Sequence, residues 1–106
     1  MMKHYILQGR EVIETDLMTW AGFIEGPGKI IKQETTPNGY YVSTVFLGID
    51  HNLFDTGRPL LFETMVWEKH KDGEEEVQER YSTYDEAEAG HKRFVEEYSN
   101  KIKDSN

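Results

Sequence analysis

Apolar residues near the N-terminus follow two different periods along the chain. Residues 5–7 and 12–13 are apolar runs on either side of residues 9–10, Gly-Arg, and this pattern predicts a short hairpin. A helix is predicted next, with Asp16 or the preceding threonine as its N-cap and Gly26 at its end. The apolar residues of this helix lie three or four positions apart and should form its inward face: Leu17, Trp20, Ala21 and Ile24.

After this helix the pattern changes to that of β-strands. Residues 30–36 predict a first strand, and the Asn-Gly pair at 38–39 indicates a hairpin. Residues 40–49 are apolar on both parities and rich in β-branched and aromatic side chains, as expected of a central strand with both faces covered. Residues 60–67 predict a second core strand, and the more polar residues 75–82 predict an edge strand.

The last predicted element is a second amphipathic helix. Thr83 and Glu86 form a capping box, and the helix extends to about Ile102. Its apolar stripe should face the sheet: Ala87, His91, Phe94, Val95, Tyr98 and Ile102. The element order β-β-α-β-β-β-β-α predicts an α+β fold, an antiparallel meander sheet with the C-terminal helix packed on one face. We expect a single domain over residues 1–102 and a frayed tail over 103–106.

Composition and charge narrow the classes of function. Hydrophobic residues make up 37% of the 106 residues, which is enough for a core. The formal net charge of −8 would repel a phosphate backbone, so we expect no direct binding to nucleic acid. The chain has no cysteine, which excludes disulfides, thiolate metal sites and cysteine nucleophiles. The N-terminus does not resemble a signal peptide and no segment suits a membrane span, so we expect a cytoplasmic protein without membrane contact.

Two titratable residues stand where an apolar residue would pack more simply. His91 lies on the apolar stripe of the last helix, and we expect a hydrogen-bonded structural histidine, with a ligand or acid–base role as the alternative. Glu63 interrupts an apolar strand, where an unpartnered carboxylate would be costly. Glu63 either faces solvent, meets a partner such as His91, Arg58 or Arg80, or lines a pocket.

A long polar loop follows the central strand and is a favourable place for a binding site. Asp50 and His51 open this loop, and Arg58 lies near its end. Together with Glu63 and His91, Asp50 and His51 would supply the imidazoles and carboxylates of a divalent-metal site, although their spacing matches no metal signature. We predict no catalytic residue and no cofactor. Aromatic side chains could wall a pocket, and the candidate ligand-binding residues are Asp50, His51, Arg58, Glu63, Trp67, Tyr81 and His91.

Three blocks of sequence carry a resemblance: STVFLGIDH at 43–51, PLLFETMV at 59–66 and RYSTYDEAEAGH at 80–91. They resemble a family of short uncharacterised proteins encoded by tailed phages and prophages. Residues 5–9 and 16–20 are also similar to that family, so the resemblance covers most of the chain. It implies no biochemical role and no catalytic residues, only the context of an accessory factor in the host cytoplasm. The chain departs from the usual form of the family between Leu53 and Pro59, where the family has a more Gly-rich loop, and again after Trp67.

These observations favour a small non-enzymatic binding module, because apolar and aromatic walls occur without a catalytic constellation. The expected partner is a host protein or a small-molecule ligand, and a homo-oligomer stays open. In a phage setting the role would include counter-defence, as an inhibitor of a host immune protein or a sponge for a signal nucleotide. An anionic ligand would need Arg58, Arg80 or Lys29 nearby. The alternatives are a small metal-dependent hydrolase that uses the His/Asp/Glu cluster and an acidic DNA mimic.

Overall fold

The elements follow the predicted order, and the α+β fold class is confirmed. The structure is a computed structural model, and it describes residues 2–50, 57–68 and 75–101, except for the side chain of Glu75. Within those ranges the elements are β1 (His4–Gln8), β2 (Glu11–Thr15), α1 (Leu17–Glu25), β3 (Ile30–Thr35), β4 (Tyr40–Phe46), β5 (Phe62–Glu68), β6 (Glu75–Tyr81) and α2 (Tyr84–Ser99). His51, Ile102 and the expected tail over 103–106 lie outside the described residues. In the described ranges, neither helix has both the length and the apolar character needed to cross a membrane.

Strands β3 to β6 form one antiparallel sheet in the order β3-β4-β5-β6, and β1 and β2 form a separate hairpin. Because side chains alternate along a strand, the pairing of Thr44 with Thr64 places the even-numbered residues of β4 and β5 on one face. Helix α2 packs on that face. The sequence predicts that both faces of β4 are covered, but α2 covers only one of them. Tyr41 and Val45 on the other face are partly exposed.

The sheet and α2 enclose two apolar clusters. The first cluster contains Tyr40, Val42, Val66, Phe94 and Tyr98. The second contains Phe46, Leu61, Phe62, Tyr81 and Ala87, and residues of the hairpin and α1 pack against it. Buried polar side chains lie on the same face at strand positions between the two clusters: Thr44, Thr64 and, from α2, His91. We call these three residues the polar belt.

The hairpin and α1 hold the segment that follows β4. The backbone N–H of Tyr5 donates to the Gly48 carbonyl at 2.8 Å, and Trp20 Nε1 donates to the Leu47 carbonyl at 3.2 Å. Gly48 has a φ of +73°, and a Cβ there would lie 2.5 Å from Trp20 Nε1, so this close approach requires glycine. The strand predicted to reach residue 49 therefore ends at Phe46.

Helix α1 begins as predicted, and Ile24 of its predicted apolar stripe packs against the second apolar cluster. Asp16 caps it by accepting a hydrogen bond from the Thr19 N–H at 2.7 Å. Leu17, the first residue of the predicted apolar stripe, is 56% exposed. Phe23, which the stripe omits, packs edge-on against Phe46 with ring centroids 5.8 Å apart. The prediction for Leu17 is wrong because only the later turns of this short helix contact the sheet residues of the core.

Candidate functional site

The polar belt is a continuous line of hydrogen bonds beneath α2. The hydroxyl oxygens of Thr44 and Thr64 lie 2.5 Å apart, and the Thr44 hydroxyl lies 2.7 Å from His91 Nδ1. The other ring nitrogen, Nε2, faces the Glu34 carboxylate of β3 at 3.7 Å, which is too long for a hydrogen bond. All three belt residues are at least 97% buried, so these contacts are shielded from water.

The Glu34 carboxylate fixes the direction of these bonds. A carboxylate only accepts hydrogen bonds, so the proton of the neutral imidazole is favoured on Nε2, which faces it. Nδ1 of His91 then accepts from the Thr44 hydroxyl, and Thr44 in turn accepts from Thr64. This assignment leaves an Nε2–H that points away from the belt.

His91 is held in its neutral form. Burial lowers the pKa of His91 below its usual value of 6.5, and the nearby Glu34 carboxylate opposes that effect only in part. A neutral imidazole with a fixed tautomer can donate one hydrogen bond through Nε2. Among the residues that the structure describes, this buried nitrogen has no hydrogen-bond partner.

A groove of about 560 Å³ lies between β3 and α2, and His91 is one of its lining residues. We call it the β3 groove. Its apolar side chains are Ile31, Ala89 and Val95. Its remaining lining residues are charged: Lys32, Glu34, Asp85, Glu88, Lys92 and Glu96. The β3 groove therefore combines a small apolar wall with several polar side chains, of which His91 is buried.

Ion pairs balance much of the charge at the rim of the β3 groove. Lys32 Nζ lies 3.3 Å from Glu34 Oε2. Arg10, in the turn of the hairpin, contacts Asp85 and lies 3.0 Å from Glu88 Oε1. These contacts lower the pKa of Glu88 and raise that of Arg10, mainly through the side-chain hydrogen bond between them. The rim is therefore mixed in charge and slightly acidic.

Two of the predicted site residues, Arg58 and Tyr81, line a second groove on the other side of α2. This β6 groove has a volume of about 340 Å³, and its lining residues are Arg58, Leu60, Glu79, Arg80, Tyr81, Ser82, Glu86, Ala89 and Arg93. Burial raises the pKa of Tyr81 to about 12, with a smaller opposing contribution from Thr64. The Arg58 guanidinium donates to Glu86 at 2.7 Å, and this bond lowers the pKa of Glu86.

Glu63 and Trp67 lie on the face of the sheet opposite α2. Glu63 is only 8% exposed, and its Oε2 accepts from Gln78 at 2.7 Å and from Arg80 Nε at 3.1 Å. The prediction that Glu63 faces solvent is therefore wrong. Of the three partners predicted for Glu63, the one that it contacts is Arg80. Trp67 stacks on Tyr41 with ring centroids 5.9 Å apart. Since His91 packs against the other face, Glu63 and His91 do not converge.

Asp50 has a structural contact at the base of the long loop. Its carboxylate accepts from the Leu60 N–H at 2.9 Å and so joins the two ends of that loop. His51 lies outside the described residues. Within residues 2–50, 57–68 and 75–101, no group of three or more histidine and acidic residues could hold a metal ion.

Thr44, Thr64 and Glu34 are not among the site residues predicted from the sequence, although all three contribute to the site. A signal was present in the sequence, because each threonine interrupts a row of apolar residues that point to the same face of its strand.

The chain matches no protein-family model, and neither a curated protein nor a solved structure shows significant similarity to it.

Proposed function

We propose that this protein is a small binding module whose ligand occupies the β3 groove. The observation that carries the proposal is the buried Nε2 of His91, a residue of the groove lining; this nitrogen has no hydrogen-bond partner in the described residues, and we assign its proton from the facing Glu34 carboxylate. Leaving a buried polar group unsatisfied costs about 1–3 kcal/mol, and a ligand that accepts this hydrogen bond recovers that free energy. The Thr44 hydroxyl beside His91 is completely buried and bonded within the polar belt, so we favour a binding role for this site over a catalytic one.

The lining residues favour a ligand with an apolar body and one hydrogen-bond acceptor. Ile31, Ala89 and Val95 offer apolar contact, and His91 would orient the acceptor. The rim is slightly acidic, so it favours a neutral or weakly cationic ligand over an anion. Either a small molecule or a side chain of a host protein meets these requirements.

We further propose that the protein acts in the cytoplasm of a bacterial host, as the resemblance to phage and prophage proteins implies. In that setting a binding module without catalytic groups would serve counter-defence. It would occupy a host immune protein or sequester a small signal molecule. A signal nucleotide would need basic contacts, and the β3 groove offers mainly Lys32 and Lys92.

Native mass spectrometry of the protein purified from producing cells tests the binding proposal. The wild-type protein should carry a co-purified small molecule. Lys92→Trp, which places an indole at the rim of the groove, should lose it, whereas Glu97→Trp, an exposed change on the same helix outside both grooves, should keep it. Identical spectra of ligand-free protein from all three, with no gain in melting temperature from a compound library, would refute the proposal.

The two alternative functions receive less support from the described residues. A metal site built from Glu63 and His91 would need both on one face, and they lie on opposite faces of the sheet. A DNA mimic needs rows of unpaired acids, but Glu86, Glu88 and Glu79 are each paired with an arginine. Elemental analysis and competition with duplex DNA test these alternatives directly.

The open face of the sheet is a second candidate surface, for a host protein. The aromatic pair of Tyr41 and Trp67 is partly exposed there, and partly exposed Met65 lies beside it in the ladder. Aromatic residues and methionine are enriched at protein interfaces. Trp67→Ala should abolish binding to a host protein if this face is used, and Lys92→Trp should not affect it.

A further inference from the structure

The β6 groove gathers three arginines in an acidic protein. The whole chain has 12 basic and 20 acidic residues, yet three arginines line this groove. The three come from separate parts of the chain: Arg58 precedes β5, Arg80 lies on β6 and Arg93 lies on α2. Each is paired with a glutamate, so an anion would bind here by replacing a carboxylate.

Internal carboxylates already occupy part of this groove. Glu86 Oε2 accepts from Arg58 at 2.7 Å, and Glu79 pairs with Arg93. These side chains are between 41% and 65% exposed, and such exposed ion pairs are weak and exchangeable. Arg80 is engaged through its Nε by Glu63 on the other face, so Arg58 and Arg93 are the two arginines that can turn toward a ligand.

One residue of the groove wall, Tyr81, has a buried hydroxyl. Tyr81 is 8% exposed, and in the described part of the chain its hydroxyl has no hydrogen-bond partner. The phenol lies directly beneath Gly90 of α2, close to the helix backbone. The hydroxyl is therefore covered by α2, and Tyr81 forms part of the groove wall without offering a donor to an anion in the groove.

We propose that the β6 groove binds a phosphate group of a small molecule, held by Arg58 and Arg93. The planar guanidinium groups match the oxygens of a phosphate, and such charge-assisted contacts are stronger than the exposed carboxylate pairs that they replace. A volume of about 340 Å³ accommodates a phosphomonoester or a pyrophosphate. This site is separate from the β3 groove and does not depend on His91.

Pyrophosphate is the probe for this site. In a titration followed by NMR at constant ionic strength, the side-chain N–H signals of Arg58 and Arg93 should shift and saturate. The double change Arg58→Gln and Arg93→Gln should weaken binding at least about tenfold, because it removes both charge-assisted contacts. Glu79→Gln should strengthen binding, since it removes the carboxylate that competes for Arg93.

Arg10→Gln is the matched control, because Arg10 is an exposed arginine that pairs with α2 outside the β6 groove. It should leave the affinity for pyrophosphate unchanged. Shifts that never saturate, that chloride reproduces at equal ionic strength, or that persist at equal affinity in the folded double variant would overturn the proposal.

Discussion

At the scale of single residues, His91 combines a structural and a potential binding role through its two ring nitrogens. Nδ1 accepts from Thr44 and completes the polar belt, while Nε2 faces Glu34, which also lines the β3 groove. A leucine at this position would fill the core but would leave the Thr44 hydroxyl with one partner fewer. The belt therefore explains why a titratable side chain is stable between two apolar clusters.

The neutral state of His91 predicts a loss of stability in mild acid. Its pKa is lowered in the folded protein by burial, with Glu34 and Lys32 of β3 as the nearest charged groups, so the unfolded chain binds a proton first. The stabilisation is complete above the unfolded pKa of about 6.5 and is lost as the pH falls from there through the folded pKa. Urea unfolding between about pH 7.5 and pH 5 should show a steeper decline for the wild type than for His91→Gln. Parallel curves would contradict this.

The buried pair of Glu63 and Arg80 predicts a different kind of effect. Arg80→Met removes the charged partner of a carboxylate that is almost completely buried, and should lower the free energy of unfolding by about 2 kcal/mol. The double change with Glu63→Leu removes both charges and should recover most of that loss. Urea denaturation of Arg80→Met, Glu63→Leu and the double variant measures the coupling. Additive losses would argue against a coupled pair.

The unusual residues could be identified from the sequence, but the residues that they contact could not. The pattern identified His91 as inward and Glu63 as unusual, and both are buried. It could not supply the strand register, which decides that Glu63 meets Arg80 and that Thr44 meets Thr64. A shift of the strand register by one residue would have placed each of these side chains on the opposite face of the sheet.

At the scale of elements, the contact between α2 and β6 depends on the absence of a side chain at Gly90. A Cβ at this position would overlap the hydroxyl and ring atoms of Tyr81. Glycine in the middle of a helix normally lowers stability. Here the close packing of the Tyr81 phenol against α2 offsets that loss.

Two glycine substitutions separate helix propensity from packing. Gly90→Ala should destabilise the protein by about 1–3 kcal/mol, because the overlap with Tyr81 outweighs the gain in propensity. Gly22→Ala in α1 has open space around the new Cβ and should stabilise by about 0.5–1 kcal/mol. Thermal unfolding measures both changes. Stabilisation by Gly90→Ala would show that Tyr81 does not approach α2 as described.

The turn between β3 and β4 anchors the C-terminal end of α2. Asn38 donates through Nδ2 to the carbonyls of Tyr98 at 2.7 Å and Lys101 at 2.9 Å. Asn38→Ala should cost about 1 kcal/mol, since two carbonyls at the helix end lose a donor. Hydrogen exchange should then increase in the last turn of α2 and leave its first turn unchanged. Asn38→Asp, which cannot donate, should give the same result.

Local signals in the sequence were sufficient for most of the element boundaries. Thr83 and Glu86 form the predicted capping box, and the hairpin at Asn38 forms as expected. The second role of Asn38 was not predictable, because it depends on α2 returning to a turn 60 residues earlier in the chain. Long-range contacts of this kind leave no local pattern.

At the scale of the whole molecule, α2 separates two grooves of different chemistry. The β3 groove combines apolar side chains with His91, and the β6 groove has three arginines. Ala89 of α2 lines both grooves. Overall charge predicted repulsion of anions, but it could not reveal this cluster of arginines, which forms only when separate elements are packed together.

The most direct test of the proposed function is NMR of the His91 imidazole during a fragment screen. Long-range proton–nitrogen spectra should show a neutral ring at pH 7 protonated on Nε2. Fragments with an apolar body and an acceptor should shift that Nε2–H in the wild type and in Glu97→Trp, and should fail to bind Lys92→Trp. A ring protonated on Nδ1, or fragment binding that leaves the His91 signals unchanged, would contradict the account.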